Sequence, residues 1–151
     1  MIKLVLMNSV EYQKYISTAI KTYAEEKVLA GNWSEQESVR KAQEEYGRLL
    51  PNGEKTENNF LYSIVMEDKS IGVIWLARLS EKKGYIYDIA IEQEYQGFGY
   101  GKEAMKLIEN VGQKLGINNI GLHVFGHNKV ARGLYDKLGY QTTNVLMEKE
   151  I

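Results

Sequence analysis

The chain has 151 residues, 44% hydrophobic and 26% charged, a balance typical of one soluble globular domain, here expected to span 1–151. Its 19 basic and 20 acidic residues leave a formal net charge of −1, which argues against a nucleic-acid partner. The absence of Cys excludes disulfides, thiolate metal sites and a cysteine acyl-enzyme, and two histidines, His123 and His127, are too few for a histidine-rich metal site, so no metal is expected.

Ile2 to Met7 reads as a short strand. The apolar opening stops at Asn8-Ser9, before it reaches the length of a signal-peptide core, so the expected location is the cytoplasm, with no membrane as a partner. Ser9 is placed to cap a helix through about Ala30, with Ile16, Ala19, Ile20, Tyr23 and Ala24 as its buried face. Gly31-Asn32 ends it. Ser34 followed by Glu37 has the form of a capping box opening a second helix to about Leu50, whose alternating charges read as a solvated face. Pro51 to Asn59 is a polar loop. From Phe60 the period becomes two: Phe60 to Glu67 and Ser70 to Leu79 form a hairpin about Asp68-Lys69, and Glu81 to Gly84 turns into the next strand.

That strand, Tyr85 to Ile91, is β-branched and aromatic apart from Asp88. The chain then turns through Gly97, Gly99 and Gly101, and from Lys102 becomes an amphipathic helix with Ala104, Leu107, Ile108, Val111 and Leu115 at helical spacing. Strand, glycine-rich turn and helix together form a phosphate-holding device, because the first N–H groups of the helix have no internal partner and point at an anion. It is not a Walker A loop: Gln96 stands where the first glycine belongs, and Glu103 follows Lys102. It is not a dinucleotide fingerprint either, since Lys102 occupies the third glycine position. Farther on, Ile120 to Phe125 reads as a strand, and Asn128 caps a helix with apolar Val130, Ala131, Leu134, Tyr135 and Leu138. Gly139 stops it in the left-handed conformation. Tyr140 to Ile151 reads as one closing strand, with Val145, Met147 and Ile151 alternating against Leu146, Glu148 and Glu150 and no Gly, Pro or Asp to turn a hairpin.

Gln96-x-x-Gly99-x-Gly101 matches the Gln/Arg-x-x-Gly-x-Gly/Ala signature of the GNAT superfamily of acyl-coenzyme A-dependent N-acyltransferases, and the chain resembles that family from about Leu4 to Met147. Asn128, Ala131 and Tyr135 match the Asn-x-x-Ala-x-x-x-Tyr of the family's last helix, and Gly139-Tyr140 replaces its common Gly-Phe. The resemblance implies an α/β (α+β) fold, the GNAT fold: a mixed, mostly antiparallel central sheet with helices on both faces and a cofactor cleft between splayed central strands. It implies acetyl-CoA as the acyl donor, held by the backbone of Ile89, Ala90 and Ile91 and by Gln96, Gly97, Phe98, Gly99, Tyr100, Gly101, Lys102, Asn128 and Ala131. Tyr135 resembles the family's acid toward the departing thiolate, although an ordinary phenol near ~10 is a poor donor to a thiolate of ~8.5, by about 2 kcal/mol. The base stays open between Asp88, Glu92, His123 and a water relay, with Asp88 first because a carboxylate inside an apolar strand needs an explanation. The acceptor is expected to be a primary amine of a small molecule or peptide. The competing reading is a catalytically idle acyl-CoA binding or sensing domain. The family usually ends in a two-strand hairpin. A single closing strand here implies an acceptor side that is either open or closed by a second protomer in a homodimer.

Overall fold

A computed structural model describes all residues, 1–151. Its strands are β1 (Lys3–Leu6), β2 (Asn59–Met66), β3 (Lys69–Arg78), β4 (Lys83–Ile91) and β5 (Asn119–Leu122), and its helices α1 (Ser9–Leu29), α2 (Glu35–Leu49), α3 (Tyr100–Lys114) and α4 (Lys129–Lys137). The strands form one sheet in chain order, antiparallel up to β4, with β5 parallel to β4. This is the mixed, mostly antiparallel sheet expected, with helices on both faces. No helix is long and apolar enough to cross a membrane.

Local chemistry sets the boundaries, with some shifts from expectation. Asn8, not Ser9, caps α1: its side chain accepts from the Glu11 N–H while Glu11 accepts from the Asn8 N–H, a full capping box. Ser34 caps α2 by position, yet its side chain makes no capping hydrogen bond. The β2–β3 turn falls on Glu67-Asp68, whose φ values of 48° and 66° are the left-handed pair that a two-residue hairpin requires. Gly139 has φ 92° and stops α4 as its sequence position implies. Val130 lies 88% exposed rather than on the apolar face of α4.

Two cores flank the sheet. Beneath α3 and α4, Ile64, Ile71, Ile74, Leu76 and Ile86 pack on Ala104, Met105 and Ile108. On the other face, Leu61 and Trp75 pack on Tyr12, Tyr15 and Ala19 of α1 and on Tyr46 of α2.

The closing strand Tyr140 to Ile151 does not form. Tyr140 is anchored on α3, donating its hydroxyl to Glu109 at 2.8 Å. Beyond it, residues 141–151 make no hydrogen bond to any part of the chain. A segment without a ladder partner is not a strand. There is no C-terminal hairpin either.

Candidate active site

The site begins with an irregularity in β4. Trp75 pairs with Asp88 and its neighbour Leu76 with Ile86, so Tyr87 is an extra residue, a β-bulge. In a regular strand Asp88 would share the face of Ile86, against the aliphatic core beneath α3. The bulge turns Asp88 to the opposite face, where Ala90 also lies, while Ile89 and Ile91 keep to the α3 side. Beyond the bulge the ordinary alternation of a strand resumes, with Asp88 and Ala90 on one face and Ile89 and Ile91 on the other. The bulge behind it was not legible in the sequence.

The second departure lies between β4 and β5. Their parallel pairing runs from Lys83 and Asn119 to Ile86 and Leu122 and then stops. From Tyr87 to Ile91 the β5-facing edge of β4 has no strand partner, and a cavity of about 820 Å³ opens there. Asp88, Glu92, His123 and Tyr135 all line it, as do Ile89, Ala90, Ile91, Asn128 and Ala131. On its far side β3 approaches β4 so closely that a Cβ on Gly72 would stand 2.4 Å from the Ala90 carbonyl oxygen. Glycine is required there, and the contact fixes that stretch of β4.

The glycine loop lies outside the cavity wall, beside the end of β4. Gln96 donates its side-chain amide to the Ile91 carbonyl at 2.8 Å. Gly99 caps α3 with φ 83°, a left-handed conformation that favours glycine. Gly101 sits where a Cβ would meet Leu134 of α4 at 3.5 Å and Ile91 at 3.9 Å. From Gly97 through Lys102 no N–H finds an acceptor in the protein, whereas Glu103 donates to the Gly99 carbonyl. Phe98 is 69% exposed beside Tyr100, their rings 6.0 Å apart.

The electrostatics sort the titratable groups. Asp88 accepts the Tyr15 hydroxyl at 2.6 Å. Burial raises its pKa, an effect that the hydrogen bonds from Tyr15 and the Ile89 N–H only partly offset. Burial, reinforced by the charge of Asp88, pushes Tyr135 up to about 12. Its hydroxyl makes no hydrogen bond within the protein. His123 lies edge-on to Phe125 and is held below the usual histidine range, first by burial and then by the Lys27 ammonium, so it is neutral at pH 7. Asn128 does cap α4, accepting the Ala131 N–H at 3.1 Å.

The sequence reading missed the far wall. Tyr15, Tyr23, Tyr46, Trp75, Tyr85 and Tyr87 line the cavity on the α1–α2 side of the sheet. Burial is the first cause raising the pKa of Tyr15, Tyr23 and Tyr46, and Glu45 adds to it at Tyr23, whose hydroxyl donates to that carboxylate at 3.2 Å. The available signal was Tyr15 on the first helix, four residues before Ala19 of the predicted apolar face but with a polar tip that needs a partner.

Residues 21–140 match the acetyltransferase (GNAT) family. The chain is 35% identical over 154 residues to YycN of Bacillus subtilis, described as an uncharacterized N-acetyltransferase, with 99% of each chain covered. The crystal structure of YycN superposes with a TM-score of 0.96 at 34% identity, over 100% of this chain and 99% of that one. The PaiA N-acetyltransferase of Thermoplasma acidophilum, solved in complex with coenzyme A, shares the fold with a TM-score of 0.72 at 19% identity, over 96% of this chain and 92% of that one.

Proposed function

The chain belongs to the GNAT family of acetyltransferases, and from that premise we propose that it carries an acetyl group from acetyl-CoA directly to the primary amine of a small molecule or peptide. The observation that carries this reading is the run of unpartnered N–H groups from Gly97 to Lys102, set beside the end of a strand whose edge is free from Tyr87 to Ile91. Six consecutive donors at a helix N-terminus, with nothing within 4 Å of where a Cβ on Gly97 or Gly99 would stand, suit a pyrophosphate. The free edge of Ile89, Ala90 and Ile91 suits the amide-bearing pantetheine arm, which binds such an edge as an added strand would. Asn128 and Ala131 line the arm's other side.

Acetyl-CoA supplies the acyl group as a thioester, whose C–S bond breaks as the C–N bond to the amine forms. A backbone N–H of the β4 edge, fixed in place, stabilises the charge that develops on the carbonyl oxygen. Tyr135 holds the departing sulfur by a hydrogen bond. Outright proton transfer from a phenol at about 12 to a thiolate of ~8.5 is uphill by about 5 kcal/mol. The proton leaving the amine nitrogen goes to His123, which is neutral, faces the cavity and has no hydrogen-bond partner of its own. Glu92, at the cleft end of β4, receives it through water when the amine is seated farther out. Asp88 already accepts the Tyr15 hydroxyl, so it positions that tyrosine and the aromatic wall. The cytoplasm is the compartment this reading assigns, since a cysteine-free chain needs no oxidising one.

The test pairs two substitutions at one position. Gly101→Ala adds a Cβ at ordinary contact distance from Leu134, so calorimetry should find coenzyme A binding within a few-fold of wild type. Gly101→Glu adds a negative charge beside the phosphate site and should weaken binding by about 100-fold or more, two like charges at close range costing several kcal/mol. Wild-type affinity in a folded Gly101→Glu protein would remove the phosphate site. Release of free thiol from acetyl-CoA against a panel of amines then separates a transferase from a protein that only binds.

A further inference from the structure

The pairing of β5 with β4 ends at Leu122, yet the first group the cavity receives from this part of the chain beyond that point is His123. From His123 to His127 no backbone N–H donates to any part of the chain. Val124 packs into the core beneath α3 and α4, which anchors one side of the segment. The cavity side is held by side chains.

Those side chains form a stack. His123 meets Phe125 edge-on with ring centroids 4.8 Å apart, and Phe125 lies nearly parallel to His127, centroids 5.5 Å and planes 16° apart. The stack ends on α1. There the Glu26 carboxylate contacts His127 Nε2, and the Tyr23 ring lies 6.4 Å from Phe125. A carboxylate has only lone pairs to offer, so the imidazole is the donor. Tyr23 and Glu26 are three residues apart and share a face of α1. Both line the cavity, and so do His123 and Phe125 across from them, whereas His127 stands outside. The Glu26–His127 contact therefore bridges the rim, joining the helix wall to the loop wall across 101 residues of sequence. Side-chain exposures of 34% for Glu26 and 30% for His127 suit a pair at a rim.

We propose that Glu26 is a positioning residue: through His127 and Phe125 it holds His123 where the amine proton is taken up. β4 cannot do this, because its ladder with β5 has already ended, and the cap at Asn128 fixes only the far end of the loop. Slack in the clasp should cost turnover, since a reacting group displaced by about 1 Å loses as much as ~100-fold. That effect on turnover rests on giving the amine proton to His123, whereas the effect on the loop does not.

The chain has two histidines, so proton NMR of the full-length protein shows two imidazole Cε1–H lines. His123→Asn deletes one and thereby assigns both. In Glu26→Ala the His123 line should move toward that of a free imidazole as Phe125 leaves it, although the hydrogen bond of Glu26 is to His127 and not to His123. The kcat should fall about 10-fold. Coenzyme A affinity by calorimetry should be unchanged, because the glycine loop and the β4 edge are untouched. Glu26→Gln keeps an oxygen for His127 and should restore both the line and the rate to near wild type. Direct action of Glu26 on the amine gives a different pattern, which a double variant reads. Once His127→Ala has been made, Glu26→Ala should cost nothing further in kcat. A second full loss would make Glu26 a group that touches the amine and would overturn the positioning role. A His123 line that stays in place in Glu26→Ala, or a Glu26→Gln protein as slow as Glu26→Ala, would overturn it too. If no amine releases thiol even with wild type, the proposed reaction fails, and the His123 line alone decides the clasp.

Discussion

The two faces of the sheet are built from different residues. Beneath α3 the side chains are mostly aliphatic: Ile64, Ile71, Ile74, Leu76, Met105 and Ile108 are all fully buried, and the titratable side chain in that cluster is Tyr135. On the α1 side Trp75 of β3 meets Tyr12, Tyr15 and Tyr46, and all four rings bury area while their polar tips need partners. The Tyr15 hydroxyl finds Asp88, and the Trp75 indole N–H finds Asn59 at 2.9 Å. One face therefore holds the fold, and the other holds a cavity at a cost in buried polar groups. β4 serves both, and the bulge at Tyr87 lets it do so by switching Asp88 from the first face to the second.

If that division is real, the largest effect on stability comes from the aliphatic face. Ile108→Ala leaves a cavity in a site with no solvent access and should cost about 2–5 kcal/mol in urea unfolding. Coenzyme A affinity in the folded protein should stay close to wild type, since Ile108 does not line the cavity. A loss of affinity as large as the loss of stability would show that the faces are not separable.

Next in size is Tyr135→Phe, at a residue that belongs to both. Tyr135 packs in the aliphatic core by its ring and lines the cavity by its edge. Removing an unpaired hydroxyl should leave stability within about 1 kcal/mol. Turnover should fall by about 10- to 1000-fold if the hydroxyl holds the sulfur. Steady-state rates with saturating acetyl-CoA decide it, and a rate within twofold of wild type returns Tyr135 to packing alone.

Periodicity and glycine placement made most of the fold legible. Alternation marked β2 and β3, the left-handed stop at Gly139 was readable as Gly after an apolar helix, and the glycines at 97, 99 and 101 stand out against a chain whose helices otherwise start at Asn or Ser. The aliphatic face was legible for the same reason: Ala104 and Ile108 are four apart, as a helix stripe must be. The other face was not. A bulge leaves no mark in a run as uniformly apolar as Tyr85 to Ile91, and a Tyr on a helix reads the same whether its hydroxyl meets water or a carboxylate seventy-three residues away. The tail misled because Val145 to Ile151 alternates like a strand, and alternation cannot say whether a neighbouring strand is there to pair with it.

The smallest effect, Asp88→Asn, tests the α1 face most directly. The folded protein raises the Asp88 pKa above its ordinary value, and burial outweighs both hydrogen bonds that oppose it. The folded state therefore holds this proton more tightly than the unfolded chain does, and the ionised carboxylate weakens the fold at neutral pH. That penalty is fully present above the folded pKa and disappears as the pH falls through it toward the ordinary aspartate value near ~3.9. Asn keeps the shape and an acceptor for the Tyr15 hydroxyl but carries no charge. The variant should thus melt at a higher temperature than wild type at pH 7, and the gap should close as the pH is lowered toward 4. Turnover should fall less than about 10-fold, because His123 rather than Asp88 is assigned the amine proton. A variant that melts lower than wild type at pH 7 would mean that the Tyr15 hydrogen bond, and not the buried charge, decides the balance. A loss beyond about 100-fold in turnover, with stability raised as expected, would move the proton from His123 to Asp88.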